Sequence, residues 1–407
     1  MPRVLFVTMI SDMARPTGYR TRVLSEMEAV RGRGVETYLL ALSPPQLVVR
    51  RRARQAFQRE LARHGLTGRL VAHLPSFGTR LGRQLMLHVS SGLVRGAARK
   101  FGADVVHAHG PYAAGVALCS GRPVVFDAHG AAADEFALNG RLAGWPRRRY
   151  DWEVQLVREL EHRSWTAADV VVAVSNPLVD HLSGTYGQRT RGHVVRVPCA
   201  VTDTAFVEPA RERVRRELDL GDRVVLVYVG SLAPYQLAPE MVELVKQTRA
   251  LRSAVKLLAI SQAEPAQWHC LARAAGLGSD GYTVVRAEGK RVAELTSAGD
   301  IALMLRQEAL LNAVAFPTKL GEYLAAGVPV LTTAATRDPA ELIQRKRLGF
   351  VAPDLAALTP AAVLAFLDEV YADRATWAER CRAAAASELS WERYAAVLAD
   401  LYREISG

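Results

Sequence analysis

Short runs of consecutive apolar residues alternate along the whole chain with stretches whose apolar positions recur every three or four residues. The first run, residues 4–10, is apolar except for Thr8 and predicts a central parallel strand. The loop SDMARPTGYR follows it, with Gly18 near its end. Residues 20–31 then place Val23, Leu24, Met27 and Val30 at helical spacing, and residues 36–42 form the next apolar run. The alternation continues with a basic helix over 50–63, whose thin apolar face is Ala53, Ala56, Phe57 and Leu61. A helix over 85–99, a strand over 104–108, a helix over 112–118 and a strand over 123–126 come next. A long helix over 150–166, a strand over 170–174, a helix capped by Ser175 and a strand over 194–197 complete this half. From Arg223 the pattern restarts: strands over 224–229, 255–260 and 282–285 alternate with helices over 239–251 and 263–275. Residues 337–347, 360–388 and 391–405 read as helices. Repeated strand–helix–strand units predict two successive doubly wound α/β sheets.

Residues 300–332, DIALMLRQEALLNAVAFPTKLGEYLAAGVPVLT, carry the densest chemistry in this pattern. An apolar strand over 301–305 leads into a loop with Asn312, Phe316 and Pro317. Thr318 is placed to cap a short helix over 319–326, which Gly327 ends before a second buried strand. A helix N-terminus set between two strands suits a phosphate, and Lys319 adds a full charge in the first turn. Glu322 stands one turn further on. Spacing alone leaves the two residues either a surface ion pair or a clamp on one ligand.

Composition changes the picture little. The chain has 407 residues, half of them apolar, which suits two soluble domains. Cys119, Cys199, Cys270 and Cys381 form no CxxC or close pair, which points to a reducing compartment. The apolar N-terminal run is too short for a membrane span and lacks a signal-peptide cleavage pattern, so it reads as a strand. The formal charge of +11 says more. Arginines cluster at 50–63 and at Arg147, Arg148 and Arg149, which suggests an anionic partner. No nucleic-acid-binding motif accompanies them. The 50–63 helix is either a solvated basic face or a peripheral contact with an anionic membrane.

The dinucleotide fingerprint, the P-loop, the HExxH pair and a DxD at a strand end are all missing. His107 and His109 lie two apart at a strand end, where hydrogen bonding is the simpler role. His129 directly follows the strand VVF in a loop of small residues, where ligands of open α/β sheets bind. Asp127 is its nearest carboxylate, and Asp134 and Glu135 come next. Gly18 and Gly230 each follow a first strand, either to let backbone N–H groups approach a phosphate or simply to turn the chain.

In this order the segments VVFDAHG, AADVVVAVSNPL, VRVPCAVTDTAF, VYVGSLAPYQ, PTKLGEYLAAGVPVL and SWERYAAVLADLY resemble the retaining glycosyltransferases of GT-B fold, glycosyltransferase family four in particular. The resemblance covers nearly the whole chain. It implies two Rossmann-like doubly wound domains facing across a cleft. Residues 1–203 would bind the acceptor, residues 204–388 the nucleotide sugar, and residues 389–407 would form a helix crossing back to the N-terminal domain.

By the same resemblance Glu322 holds the ribose hydroxyls, while Lys319 and the helix N-terminus neutralise the diphosphate leaving group. Gly18 lies near the same phosphates and His129 near the donor sugar. No metal or other cofactor is required. The chain departs from the family at two places. Val314 stands where a first glutamate is expected, leaving Asn312 or Glu308 as substitutes. The loop GSLAPYQ offers Ser231 and Gln236 where an Arg and a Lys are usual, so Arg306 is the second cation. Lys290 and Arg291 sit where the base would be met.

The expectation is therefore a cytoplasmic enzyme, free or peripheral to the inner face of the membrane. It would move a hexose from a UDP- or GDP-sugar to a small molecule, lipid-linked sugar or polysaccharide, with retention. An inverting enzyme would need a carboxylate base, for which Asp127 is the candidate. The alternatives are a GT-B nucleotide-sugar epimerase and an inactive nucleotide-sugar-binding or scaffold protein.

Overall fold

A computed structural model describes residues 1–9, 17–74, 79–189, 191–206 and 210–407. Ile10 and residues 11–16, read above as a strand end and a loop, lie outside the described residues. The chain forms two compact units, Met1–Pro198 with Trp391–Gly407, and Cys199–Ser390.

The first unit holds β1 (Arg3–Met9), β2 (Glu36–Ser43), β3 (Gly68–Ala72), β4 (Val105–His109), β5 (Val124–Ala128), β6 (Val170–Ala173) and β7 (His193–Arg196). They pair in the order β3-β2-β1-β4-β5-β6-β7, every pair parallel. The second unit holds β8 (Val224–Val229), β9 (Val255–Ile260), β10 (Tyr282–Val285), β11 (Ile301–Met304), β12 (Val330–Thr333) and β13 (Gly349–Ala352). Their order, β10-β9-β8-β11-β12-β13, repeats the same winding, again all parallel. Central strands such as β1, β4, β5, β8 and β11 are covered on both faces; they are largely apolar, with buried His107, His109 and Asp127 the exceptions at the ends of β4 and β5. In each sheet the winding reverses next to the first strand, between β1 and β4 and between β8 and β11. Ligands of open α/β sheets bind at such a reversal, beyond the carboxyl ends of the strands.

Several elements differ from the sequence reading. The edge strands β3 and β13 escape it because GRLVA and GFVA are short and only half-buried. Residues 132–142, the first of which read as loop, form the helix Ala132–Leu142, with Asp134 and Glu135 in its first turn where the helix dipole favours acids. The single helix expected over 360–388 is two, Pro360–Ala372 and Arg374–Glu388. Asp373 breaks it by leaving the helical conformation and accepting a hydrogen bond from the Thr376 N–H as an N-cap. Among the described residues no helix is long and apolar enough to cross a membrane.

Candidate functional sites at the two switch points

In the second unit the helix Thr318–Ala325 starts beside the ends of β8 and β11. Pro317 occupies its N-cap and Thr318 is its first helical residue, so the capping role expected of Thr318 does not occur. Pro317 sets the entry instead, its ring fixing φ. Tyr323 anchors the helix: its buried hydroxyl donates to the Leu303 carbonyl at 3.1 Å and accepts from the Val229 N–H at 2.9 Å. One turn earlier, Lys319 is thereby held over the β8–β11 reversal. It is only 7% exposed, and its Nζ donates to Gln236 Oε1 at 2.6 Å and sits 4.4 Å from the centre of the Tyr228 ring.

Arg306 lies two residues past the end of β11 and is 3% exposed. Its guanidinium donates to its neighbour's carbonyl, Leu305 O, at 2.8 Å and lies 5.9 Å from the Tyr235 ring. Among the described residues neither Lys319 nor Arg306 is in ion-pair contact with a carboxylate. Burial pushes the Lys319 ammonium well below its ordinary range, and Arg306 pushes it further. Burial also lowers Arg306. Glu322, half-buried one turn along, is raised by burial and partly restored by Lys319. Two desolvated cations with so little negative charge are costly unless an anion joins them.

Gly230 leaves the close approach that this arrangement needs. A Cβ there would meet the Tyr228 hydroxyl at 2.7 Å and Lys319 Nζ at 2.9 Å. Gly230→Ala therefore crowds the cation, and we expect it to cost about 1–3 kcal/mol of stability and to weaken nucleotide binding. Thermal unfolding and calorimetry with UDP check both. Gln236 reaches Lys319 from the turn Pro234–Gln236, which ends on Leu237 in the left-handed region at φ 56°. Such backbone strain concentrates at ligand sites. Ser231 is exposed, and its carbonyl accepts from the Tyr228 hydroxyl at 2.6 Å.

The remaining second-unit candidates are less engaged. Asn312 donates its amide to Gln307 O at 2.9 Å and so fastens its own loop, Glu308 is exposed and Val314 is buried. Neither substitute stands in as a buried carboxylate. Phe316 is buried beside Pro317 and packs the entry to the helix. Arg291 is committed to Glu217 and to Glu294, the latter at 2.9 Å, and Lys290 is exposed.

In the first unit a second polar cluster lies at the ends of β4 and β5, beneath the helix Gly18–Arg31. Arg22 grips Asp127 with two hydrogen bonds of 3.0 Å, Nε to Oδ2 and Nη2 to Oδ1. Its Nη1 donates to Pro198 O at 3.1 Å, and the guanidinium lies 5.5 Å from the Trp391 ring. Burial alone would raise the Asp127 carboxyl, but Arg22 and the histidines hold it well below its usual range. His107 Nδ1 meets the Tyr402 hydroxyl at 2.6 Å, and its Nε2 lies 3.2 Å from Glu26 Oε1. His109 Nδ1 meets His129 Nε2 at 3.0 Å and lies 3.3 Å from Asp127 Oδ2. Phe6 stacks on both buried imidazoles, and Tyr19 leans on His129 with ring centres 4.8 Å apart. Gly18 opens the helix Gly18–Arg31 and is exposed; Thr17 caps that helix by accepting from the Arg20 N–H.

Oxygen and nitrogen atoms of Glu26, His107, His109 and Asp127 lie within 4.8 Å of one another, a spacing a metal ion could use. The charge count disfavours one. Arg22 already neutralises Asp127, so a divalent ion against Glu26 would leave net positive charge sealed in the core. A proton on Glu26 leaves the cluster neutral, and burial raises the Glu26 carboxyl well above its usual range.

Burial pushes His107 and His109 each down to about 4 from an ordinary value near 6.5. Between those values the unfolded chain takes up protons on these two residues that the folded chain does not, so their stabilisation is complete above about 6.5 and lost as pH falls towards 4. Glu26 acts oppositely: above its unfolded value near 4.5, its raised folded pKa means the native state holds the extra proton. Burial raises the Glu135 and Glu161 carboxyls in the same unit, and they act as Glu26 does, so the test is made on the imidazoles themselves. We expect the ring NMR shifts of His107 and His109 in the folded protein to hold at their neutral values as pH falls from 7 towards 5. Shifts that follow an ordinary imidazole titration would refute the neutral histidines.

Two parallel sheets wound in the same order, each with buried charged groups at its reversal, define a GT-B fold. Residues 16–204 match the family model described as Glycosyltransferase Family 4, and residues 223–369 match that of Glycosyl transferases group 1. Together the matches take in most of the chain, which belongs to these glycosyltransferases.

Among solved structures the chain is similar to HepE of Anabaena in complex with UDP, with a TM-score of 0.72 and 16% identity over 99% of this chain and 100% of that one. It is similar to sucrose-phosphate synthase of Thermosynechococcus elongatus, TM-score 0.72 and 16% identity over 99% of each chain. A third is WaaG, a glycosyltransferase involved in lipopolysaccharide biosynthesis, TM-score 0.65 and 19% identity over 98% of this chain and 99% of that one. At these identities the likeness is one of fold. No protein of curated function matches the chain in sequence.

Sequence reasoning missed Arg22, Glu26, Tyr19, Tyr402, Tyr228 and Tyr235. The first two sit inside an ordinary helical pattern. A charged residue on the apolar face of that helix, Glu26 beside Met27, was the available signal.

Proposed function

We propose that the protein transfers a sugar from a UDP- or GDP-sugar to an acceptor hydroxyl with retention, the second unit holding the donor and the first unit the acceptor. The observation that carries this reading is the pair of buried cations, Arg306 and Lys319, at the switch point of the second sheet, neither in ion-pair contact with a carboxylate among the described residues. A nucleoside diphosphate brings the charge they lack, and as a leaving group it gains more negative charge at the transition state than in the bound donor. Glu322 accepts the two vicinal ribose hydroxyls. HepE is described in complex with UDP and with UDP and glucose, which favours a uridine donor for a chain of similar fold.

In this mechanism the bond from the anomeric carbon to the phosphate oxygen breaks with its electron pair leaving on the diphosphate. The acceptor oxygen bonds to the same face of that carbon and its proton passes to the departing phosphate oxygen. No side-chain nucleophile is needed. Asp127 is the carboxylate an inverting enzyme would use as base, but it is fully buried and locked on Arg22, which supports retention. The protein's own cations replace a metal. A divalent ion needs carboxylate oxygens, and Arg306 and Lys319 would repel it.

The acceptor side is basic. The helix Arg51–Arg63 turns Phe57, Glu60 and Leu61 inwards and most of its arginines to solvent, which suits an anionic acceptor or the inner face of a membrane. No disulfide joins Cys119, Cys199, Cys270 or Cys381, which suits a reducing cytoplasm.

The test is incubation with a panel of UDP- and GDP-sugars, with and without EDTA. Calorimetry with UDP and GDP and NMR of the product's anomeric proton complete it. Binding of one nucleotide, turnover indifferent to EDTA and a retained anomer are expected. An inverted product removes the mechanism, and binding of neither nucleotide removes the activity.

A further inference from the structure

His129 joins a chain of groups that leads inwards, and the arrangement decides which of its nitrogens carries the proton. Its Nε2 points into the cluster, 3.0 Å from His109 Nδ1 and 3.5 Å from Asp127 Oδ2. Its Nδ1 makes no hydrogen bond among the described residues and is not sealed from solvent, the side chain being 18% exposed.

Two neutral arrangements are open to the pair. In one, His109 carries its proton on Nδ1 and donates to His129 Nε2, which leaves His129 protonated on Nδ1. In the other, His129 carries its proton on Nε2 and donates to His109 Nδ1, which forces the His109 proton onto its own Nε2. That last atom is fully buried with no hydrogen-bond partner. A buried N–H without an acceptor is the costlier orphan, by about 1–3 kcal/mol. The second arrangement would also set the His109 Nδ1 lone pair against Asp127 Oδ2 at 3.3 Å, and Arg22 keeps that oxygen ionised. The first arrangement removes the orphaned N–H and makes the closer contact with the carboxylate, 3.3 Å, a donor contact, leaving a lone pair only at the longer one, 3.5 Å. His109 Nδ1–H then lies between two acceptors, the carboxylate and the neighbouring imidazole, and its buried Nε2 keeps only a lone pair.

We infer that His109, seated on the Asp127 carboxylate, is a positioning residue that holds His129 in its Nδ1–H tautomer, so that His129 presents a hydrogen-bond donor to an oxygen of the substrate. The ring is also fixed in angle, because Tyr19 packs on it while the Tyr19 hydroxyl is tied to Thr8 Oγ1 at 2.6 Å and to His109 O at 2.9 Å. The group that His129 recognises is therefore an acceptor, such as a sugar ring oxygen or a hydroxyl oxygen. The substrate part rests on the glycosyl-transfer reading above; the tautomer part stands without it.

The test is nitrogen-15 NMR of the full chain labelled on its histidine rings, with the His129 signals assigned by their loss in His129→Gln. In the wild-type protein His129 Nδ1 should resonate as a pyrrole-type nitrogen and Nε2 as a pyridine-type nitrogen. His109→Leu should mix the two tautomers and lower kcat/KM roughly 10–100-fold, the range for losing a supporting partner. His109→Asn places an amide where Nδ1 was and should restore both the tautomer and most of the rate. A wild-type His129 protonated on Nε2, or an unchanged tautomer in His109→Leu, overturns the inference, and the wild-type spectrum decides even if His109→Leu fails to fold. Absence of transfer from every donor, with the expected spectrum, would instead fail the glycosyl-transfer reading and leave the positioning role intact.

Discussion

Lys319→Met should lower turnover by roughly 10²–10³-fold, about 3 kcal/mol of transition-state stabilisation, while raising the thermal midpoint of the ligand-free protein. The two effects have one cause. Lys319 is nearly sealed, close enough to Arg306 to be repelled by it, and balanced among the described residues only by Glu322 one turn away. Methionine fills much the same volume without a charge to desolvate, so the ligand-free fold gains stability. The diphosphate loses its buried cation, so the leaving group is no longer stabilised. A lysine that served only the fold would show the reverse pattern, a lower midpoint with turnover retained. Lys319→Arg should not rescue, because the larger planar head meets Gly230 and Tyr228, where even a Cβ on Gly230 would be too close. Initial rates with saturating donor and a thermal melt of the ligand-free protein check both halves.

Asp127→Asn and Arg22→Met should each destabilise the first unit by about 3–5 kcal/mol, since removing one partner leaves the other charge buried. For a unit of this size that is roughly 6–20 °C in thermal midpoint. The double variant should recover part of the loss, and the cycle measures the coupling. The loss should reach the C-terminal helix Trp391–Ser406 as well. Arg22 lies against the Trp391 ring, and Tyr402 of that helix bonds His107 in the same cluster. Hydrogen exchange should therefore quicken in that helix in both single variants. Unchanged protection there would mean that the helix is held by its apolar face alone, through Leu398 and Leu401.

Much of the architecture was legible because a parallel sheet covered on both faces demands uninterrupted apolar runs. Residues 224–229 and 255–260 match β8 and β9, and Ser175 caps the helix Asn176–Tyr186 by accepting from the Leu178 N–H at 3.1 Å. Legibility failed at two of the edge strands. The edge strands β3 and β13 need only one covered face, and four or five mixed residues leave no pattern above the background. It failed also at Asp373, where a side-chain cap outcompeted a continuous helical pattern.

The chemistry divides along the same line. Local order placed Lys319 at a helix start, Arg306 at a strand end, Gly230 after β8 and His129 after β5, because strand ends and helix starts are properties of consecutive residues. Only tertiary structure could decide that Lys319 and Arg306 share one buried place with Gln236, Tyr228 and Gly230. It also turned Arg291 to Glu217 and Glu294 and Asn312 to its own loop. It assembled Arg22, Glu26, His107, His109 and Asp127 into one cluster from a helix and two strands that lie far apart in the chain. The physical reason is that burial and charge pairing depend on distances across the fold. Periodicity along the chain reports which face a residue takes, not which group it meets there.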